Sequence, residues 1–270
     1  MTRPATAAQS LVRWFAAAAR DLPWRRTRDP YAIWVAEVML QQTTVAAVIP
    51  HFTRWMRELP TLGALASASR QRVYRLWEGL GYYRRADNLR RAAQVLVAHH
   101  DSRFPRTFAE VRALPGIGRY TAGAICSIAF NLPTPVLDGN VTRVLARLHG
   151  LRDEVRTKTA QTQLWHWAQE LVDRAARLRE PRACGRLNEA LMELGATVCT
   201  PRAPRCPACP FRRTCAARRQ GGVDQIPRLA PRRKPVPKRC AALLFEQDAR
   251  WFVRRRPEGV VNAGLWEFPQ

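Results

Sequence analysis

The chain has 270 residues, 45 of them Lys or Arg against 21 Asp or Glu, giving a formal charge of +24 at pH 7. A hydrophobic content of 47% excludes a wholly disordered chain despite that charge. No apolar run approaches the roughly 20 residues that span a bilayer, and residues 1–10 lack the basic start and apolar stretch of a secretory signal. What is left is a soluble protein whose natural partners are polyanions, nucleic acid first among them.

In chain order, residues 11–20 read as an amphipathic helix and 31–51 carry a long apolar helical pattern. Residues 70–77 and 86–99 alternate apolar and basic faces at helical spacing. Thr107-Phe-Ala-Glu110 is a capping box that opens a helix running to Leu114. Residues 119–130, 141–148, 159–176 and 187–194 complete the set, and no period-2 strand precedes residue 240. This part is predicted all-α. Residues 216–239 then bring Gly-Gly, four prolines and a basic cluster, the composition of a linker held extended by self-repulsion. Beyond it, 241–245 and 251–253 flank Glu246-Gln-Asp-Ala-Arg250 as a β-hairpin. The chain stops at Gln270, too soon after that hairpin to close a sheet, so 240–270 are expected to begin an incomplete second domain.

Seven cysteines, an odd number, argue against a disulfide framework. Four follow the spacing Cys199-x6-Cys206-x2-Cys209-x5-Cys215, with Pro201, Pro204, Pro207 and Pro210 stiffening the loops. Four soft thiolates on short loops suit zinc or an iron–sulfur cluster. Zinc sites pair two short knuckles across a longer gap, so outer spacings of six and five favour iron–sulfur. Cys126, Cys184 and Cys240 stand alone and are expected to be small core residues.

Three further stretches carry chemistry. Leu114-Pro-Gly-Ile-Gly118 joins two helices through two glycines, letting backbone amides approach a phosphate closely; an ordinary turn between helices has the same look. In 29–44, helical spacing puts Ile33, Glu37, Gln41 and Thr44 on one face, with Val35, Val38, Met39 and Leu40 around them. A carboxylate in such company should have a raised pKa and hold a proton near neutrality, whereas on a solvated stripe it would not. Asp138 stands directly before a helix, where an aspartate caps and stays ionised, and an ionised aspartate also stabilises positive charge.

Taken together, the chain resembles the helix–hairpin–helix DNA glycosylases, most closely the MutY-type adenine DNA glycosylases. The carriers are Trp34-Val-Ala-Glu-Val-Met-Leu-Gln-Gln-Thr43, Gly79-Leu-Gly-Tyr-Tyr83, Leu114-Pro-Gly-Ile-Gly118, Leu137-Asp-Gly-Asn-Val-Thr-Arg143, Asn188-Glu-Ala-Leu-Met-Glu-Leu-Gly195 and the four-cysteine spacing. The resemblance runs from about Leu22 to Cys215. It implies a two-lobed all-α glycosylase fold: a six-helix barrel with the hairpin at 22–130, and a cluster domain from 1–21 and 131–215. The linker at 216–239 would follow, and then at 240–270 the start of a Nudix-like, β-rich module that recognises 8-oxoguanine. Gly-Leu-Trp-Glu-Phe-Pro269 supports that last likeness.

By the same resemblance Cys199, Cys206, Cys209 and Cys215 hold a [4Fe–4S] cluster. The expected substrate is duplex DNA with adenine opposite 8-oxoguanine or guanine, acted on by a monomer in the cytoplasm, at a bacterial nucleoid. Glu37 would be the general acid and Asp138 the group that stabilises or traps the sugar cation, with Tyr120 and Asn140 as their hydrogen-bonding partners. Gln42, Tyr82 and Leu80 would wedge into the stack, beside Gln41 and Thr43, while Arg25 and Glu189 contact the flipped base. Leu114, Gly116, Ile117 and Gly118 would grip the backbone. The alternative is an endonuclease III-type glycosylase and lyase acting on oxidised pyrimidines. Those relatives carry a lysine where this chain has Tyr120, and a phenol cannot form a Schiff base.

Overall fold

The computed structural model describes residues 7–231, 236–237, 239–257 and 259–270. Part of the segment weighed as an export signal, and most of the basic cluster at 231–239, lie outside them. Twelve α-helices occur among the described residues: α1 (Ala7–Ala18), α2 (Pro30–Met39), α3 (Val45–Glu58), α4 (Leu62–Ser67), α5 (Arg70–Trp77), α6 (Arg84–His99), α7 (Phe108–Ala113), α8 (Arg119–Phe130), α9 (Gly139–His149), α10 (Lys158–Ala176), α11 (Ala183–Thr197) and α12 (Ala216–Arg219). Their starts follow from capping chemistry. Thr44, Thr61, Ser69, Thr107 and Thr157 each accept a first-turn amide on the side-chain oxygen, and Asp29 does so ahead of Pro30.

The helices enclose two apolar cores. One gathers Trp34, Trp55 and Trp77, all fully buried, with Phe52, Leu65, Leu89 and Leu96 from α2 to α6. Trp55 meets Trp77 edge-on at 5.7 Å, and Trp34 meets Phe104 at 5.4 Å. The other joins Leu11 and Phe15 of α1 to residues of α9, α10 and α11, including Leu145, Leu164 and Leu187. Helices α2 and α8 serve both: Trp34 and Ile125 face the first core, Ile33 and Ala124 the second. The seam between the lobes therefore runs along these two helices.

Several expectations need correction. The apolar pattern of 31–51 is not one helix; it breaks after Met39, and Gln42 takes a left-handed φ of 57° before Thr44 caps α3. Gln41 and Thr44 thus do not extend the face of Ile33 and Glu37 along one helix. The segment from 216 is packed rather than a tether through Ile226, which is buried and accepts a 2.8 Å bond from Arg147 Nε on its carbonyl. The terminal hairpin forms, but its strands are β1 (Glu246–Gln247) and β2 (Arg250–Trp251), joined by Asp248 and Ala249 at positive φ. Strand residues thus fall where a loop was expected. β3 (Arg254–Arg255) pairs antiparallel with β4 (Trp266–Glu267). Cys126 and Cys184 are core residues as expected; Cys240 is exposed. No helix among the described residues is long and apolar enough to cross a membrane.

Candidate active site

A cavity of about 550 Å³ opens at the seam between the lobes. Its wall includes Glu37, Tyr120, Asp138, Asn140, Arg25, Glu189, Gln41, Gln42 and Thr43, so residues spread over more than 150 positions converge on one space. That volume suits a single planar base and its sugar.

Glu37 projects from α2 and is only 5% exposed. Burial pushes its carboxyl up to about 7, aided by the charges of Asp138 and Glu189 and opposed by the Tyr120 hydroxyl and Arg25. Tyr120, in the first turn of α8, donates to Glu37 Oε2 at 2.6 Å and lies 3.1 Å from Met192 Sδ. Its own ionisation is pushed well up by burial and by these acids, so at neutral pH it is a donor. Asp138 caps α9: Oδ1 accepts from the Val141 amide at 2.7 Å and Oδ2 from Asn140 Nδ2 at 3.0 Å. Burial nevertheless raises its pKa above the ordinary aspartate value, against the lowering expected of a simple cap.

The opposite wall is ionic. Glu193 on α11 accepts from Arg20 Nε at 2.7 Å, Arg20 Nη2 at 2.9 Å and Arg25 Nη2 at 2.8 Å. Burial alone would raise its pKa, but those bonds outweigh burial and bring it to about 2. Neither Arg20 nor Glu193 was singled out from sequence, although Glu193 stands one helical turn after Glu189, on the same face.

Two arginines fix the backbone around the cavity. Arg85 of α6 donates through Nη1 to the carbonyls of Val38 (2.8 Å) and Gln41 (2.6 Å), and through Nη2 to those of Leu80 (2.8 Å) and Gly81 (3.1 Å). It thereby ties the Gln42 turn to the loop carrying Tyr82, a residue at φ 47° and 65% exposed. Gln41, Gln42 and Tyr82 share a second groove with Arg84, Arg90 and Arg91. Leu80, expected to wedge into a duplex, is instead buried in the first core because its neighbouring carbonyls are pulled onto Arg85. Arg143 of α9 bonds Asn140 Oδ1 (2.8 Å), the Gly195 carbonyl (2.8 Å) and the Cys199 carbonyl (2.7 Å). Gly195 permits this closeness: a Cβ there would sit 2.5 Å from the Asn140 Cβ.

The hairpin lies away from the cavity. Gly116 has φ 75°, and a Cβ there would strike Asn88 at 2.5 Å. Gly118 caps α8, while Leu114 and Ile117 are buried, so the turn exposes its backbone at Gly116 and Gly118, with Pro115 partly covered between the buried residues. Cys199, Cys206, Cys209 and Cys215 line one hollow with Arg147, Val144 and Phe211. Burial pushes the Cys209 thiol up to about 11, with the other three cysteines adding repulsion. Among the described residues no three Cys, His, Asp or Glu side chains converge closely enough for a metal ion.

These features together define the helix–hairpin–helix glycosylase fold. Superposition on a thermostable thymine-DNA glycosylase gives a TM-score of 0.69 at 27% identity, covering 79% of this chain and 95% of that one. A trapped endonuclease III–DNA covalent intermediate shares the fold at a TM-score of 0.60 and 23% identity, covering 79% and 94%. The HhH-GPD superfamily of base excision DNA repair proteins matches over residues 35–170. Adenine DNA glycosylase of Homo sapiens is 40% identical, over 96% of this chain and 56% of its own length. That of Buchnera aphidicola subsp. Acyrthosiphon pisum is 32% identical over 97% and 73%. The chain belongs to the HhH-GPD superfamily, and within it to the adenine DNA glycosylases. It spans a little over half the length of the human relative.

Proposed function

We propose that the chain excises adenine from duplex DNA by hydrolysis of its N-glycosidic bond, acting where adenine lies opposite 8-oxoguanine or guanine. The observation that carries this reading is the pairing, in one base-sized cavity, of a carboxyl with a pKa of about 7 (Glu37) and a second, capped carboxylate (Asp138). An adenine reaches the cavity only when flipped out of the stack. Protonated Glu37 gives its proton to a ring nitrogen as the bond to C1′ breaks, and the electron pair leaves with the base. Ionised Asp138 stabilises the oxocarbenium character left on the sugar, or bonds to it transiently. Water then supplies the C1′ hydroxyl and returns a proton to Glu37. Tyr120 and Asn140 hold the two carboxyls, and Gln42 and Tyr82, on turns braced by Arg85, fill the vacated stack.

The cysteine set suits a [4Fe–4S] cluster. Cys199, Cys206, Cys209 and Cys215 line one hollow, with Cys199 Sγ 3.4 Å from the Arg147 guanidinium, and their outer spacings of six and five depart from paired zinc knuckles. Such a cluster would cross-link the 199–215 loop and bind the cysteines as thiolates; Cys209→Ser should lose iron and DNA affinity together, read by iron analysis and a binding titration. The +24 charge favours duplex DNA as the partner, with backbone contacts that weaken as salt rises. We assign residues 240–270 to the start of the module that reads 8-oxoguanine. The test is base release from duplexes with adenine opposite 8-oxoguanine, guanine, cytosine and thymine. Release opposite the first two supports the adenine-excision reading; no adenine release from any of them overturns it.

A further inference from the structure

We propose that Glu193 is the positioning residue of the base pocket: it fixes the Arg25 guanidinium in one orientation against the cavity wall and balances its charge there. The proposal rests on the adenine-excision reading and adds to it a residue that never touches the reacting atoms.

The geometry is specific. Glu193 is buried on α11, and its two oxygens accept four hydrogen bonds: from the Arg20 amide (3.2 Å), Arg20 Nε (2.7 Å), Arg20 Nη2 (2.9 Å) and Arg25 Nη2 (2.8 Å). Arg25 is constrained from its other sides too. Its Nη1 donates to the Arg20 carbonyl at 3.0 Å, its Nε lies 4.0 Å from Glu189 Oε1, and its guanidinium covers the Phe15 ring at 5.1 Å. A planar fork held this way presents its remaining N–H edge in one direction, as a donor to a purine's ring nitrogens requires. Without Glu193, Arg25 would keep only the longer contact to Glu189 as an ionic anchor, and Arg20 would lose its acidic partner.

The same network sets the electrical balance felt by the acid. Glu37 faces Tyr120 from α8, Asp138 from the start of α9, Glu189 from α11 and Arg25, and Arg25 in turn is bonded to Glu193 and to the Arg20 carbonyl on the same cavity wall. Arg28 and Arg186 act on Glu189 from outside. Neutralising Glu193 removes a negative charge and leaves two guanidinium groups uncompensated. That single change in the charge balance favours ionised Glu37, so its proton is lost at lower pH. Removing Arg20 instead leaves the carboxylate in excess and should act the other way.

The experiment is single-turnover adenine release across pH 5 to 9 by the full chain and its Glu193→Gln and Arg20→Gln variants, with duplex affinity measured alongside. In Glu193→Gln the high-pH limb should move down by about one unit, with excision near neutrality reduced about tenfold and duplex affinity held within about twofold. In Arg20→Gln the limb should move up, and Glu193→Asp, which keeps the charge, should return it toward the parent position. Because Glu193→Gln can also destabilise the fold, the Arg20→Gln arm carries the test where that protein is not recovered. Limbs that coincide with the parent's in the variants recovered overturn the role of Glu193 and leave the excision reading intact. A parent chain that releases no adenine overturns the reading beneath it instead.

Discussion

The two walls of the cavity hold acids of one kind under opposite regimes. On the α2–α8 wall Glu37 is buried, bonded to one phenol and, among the described residues, to no cation; burial raises it to about 7 over the smaller pull of Tyr120 and Arg25. On the α11 wall Glu193 is as deeply buried but meets two guanidinium groups, and it drops to about 2. Burial is common to both; the partner decides the sign. One wall can hold and release a proton near neutrality, and the other is a fixed charge that never does. Asp138 feels both influences: burial raises its pKa, and the Val141 amide and Asn140 oppose that rise.

The largest effect should come from removing the proton-holding function alone. Glu37→Gln keeps shape and hydrogen-bonding capacity but carries no acid proton, so excision should fall by about a thousandfold or more while mismatch binding is retained. Single-turnover release with a parallel binding titration checks this. Asp138→Asn should fall comparably, through lost charge stabilisation. Near-normal turnover in the Glu37 variant would remove the functional half of the comparison between the walls.

A smaller effect tests what tunes Glu37. The Tyr120 hydroxyl donates to it at 2.6 Å and favours its ionised form. Tyr120→Phe should therefore raise the Glu37 pKa, moving the high-pH limb of excision upward, while the unanchored carboxyl lowers the plateau about tenfold. A limb that moves downward would mean that the phenol stabilises the protonated acid instead.

Much of this arrangement is legible from local signals, and the remainder depends on long-range contacts. The caps at Thr107 and Asp138 and the extents of α5 and α8 follow from near neighbours, and so do the apolar surroundings of Glu37. The break after Met39 does not. It depends on Arg85, more than forty positions away, gathering the carbonyls of Val38 and Gln41. The same clamp holds the Leu80 carbonyl, and the Leu80 side chain is buried in the core, which its expected place beside Tyr82 in the wedge did not foresee. Glu193 finds Arg20 across 173 positions, so its charge state is invisible until the lobes close. The packed stretch from Ala216 to Ile226 was masked by its linker-like composition, since Arg147 reaches it only in the fold.

The smallest effect concerns stability, and there the two walls should respond with opposite signs. Glu37 has a folded pKa of about 7 against an unfolded value near 4.5. Its contribution to stability is therefore fully present below about pH 4.5 and is lost as pH rises through 7, where the carboxyl must ionise against a burial that Tyr120 and Arg25 only partly offset. Glu37→Gln removes that penalty, so it should melt higher than the parent at pH 8, by a few degrees, with the gap closing near pH 5. Glu193 is depressed to about 2. Its contribution is present above the ordinary carboxylate range and is lost only as pH falls toward 2. Glu193→Gln should therefore melt lower than the parent at both pH 8 and pH 5, because it takes from Arg20 and the largely buried Arg25 the carboxylate that accepts their hydrogen bonds. Thermal melts of the three proteins at the two pH values separate these outcomes. A Glu37→Gln protein that melts below the parent at pH 8 would mean that Glu37 is ionised and paired in the folded chain, and the contrast between the walls would collapse.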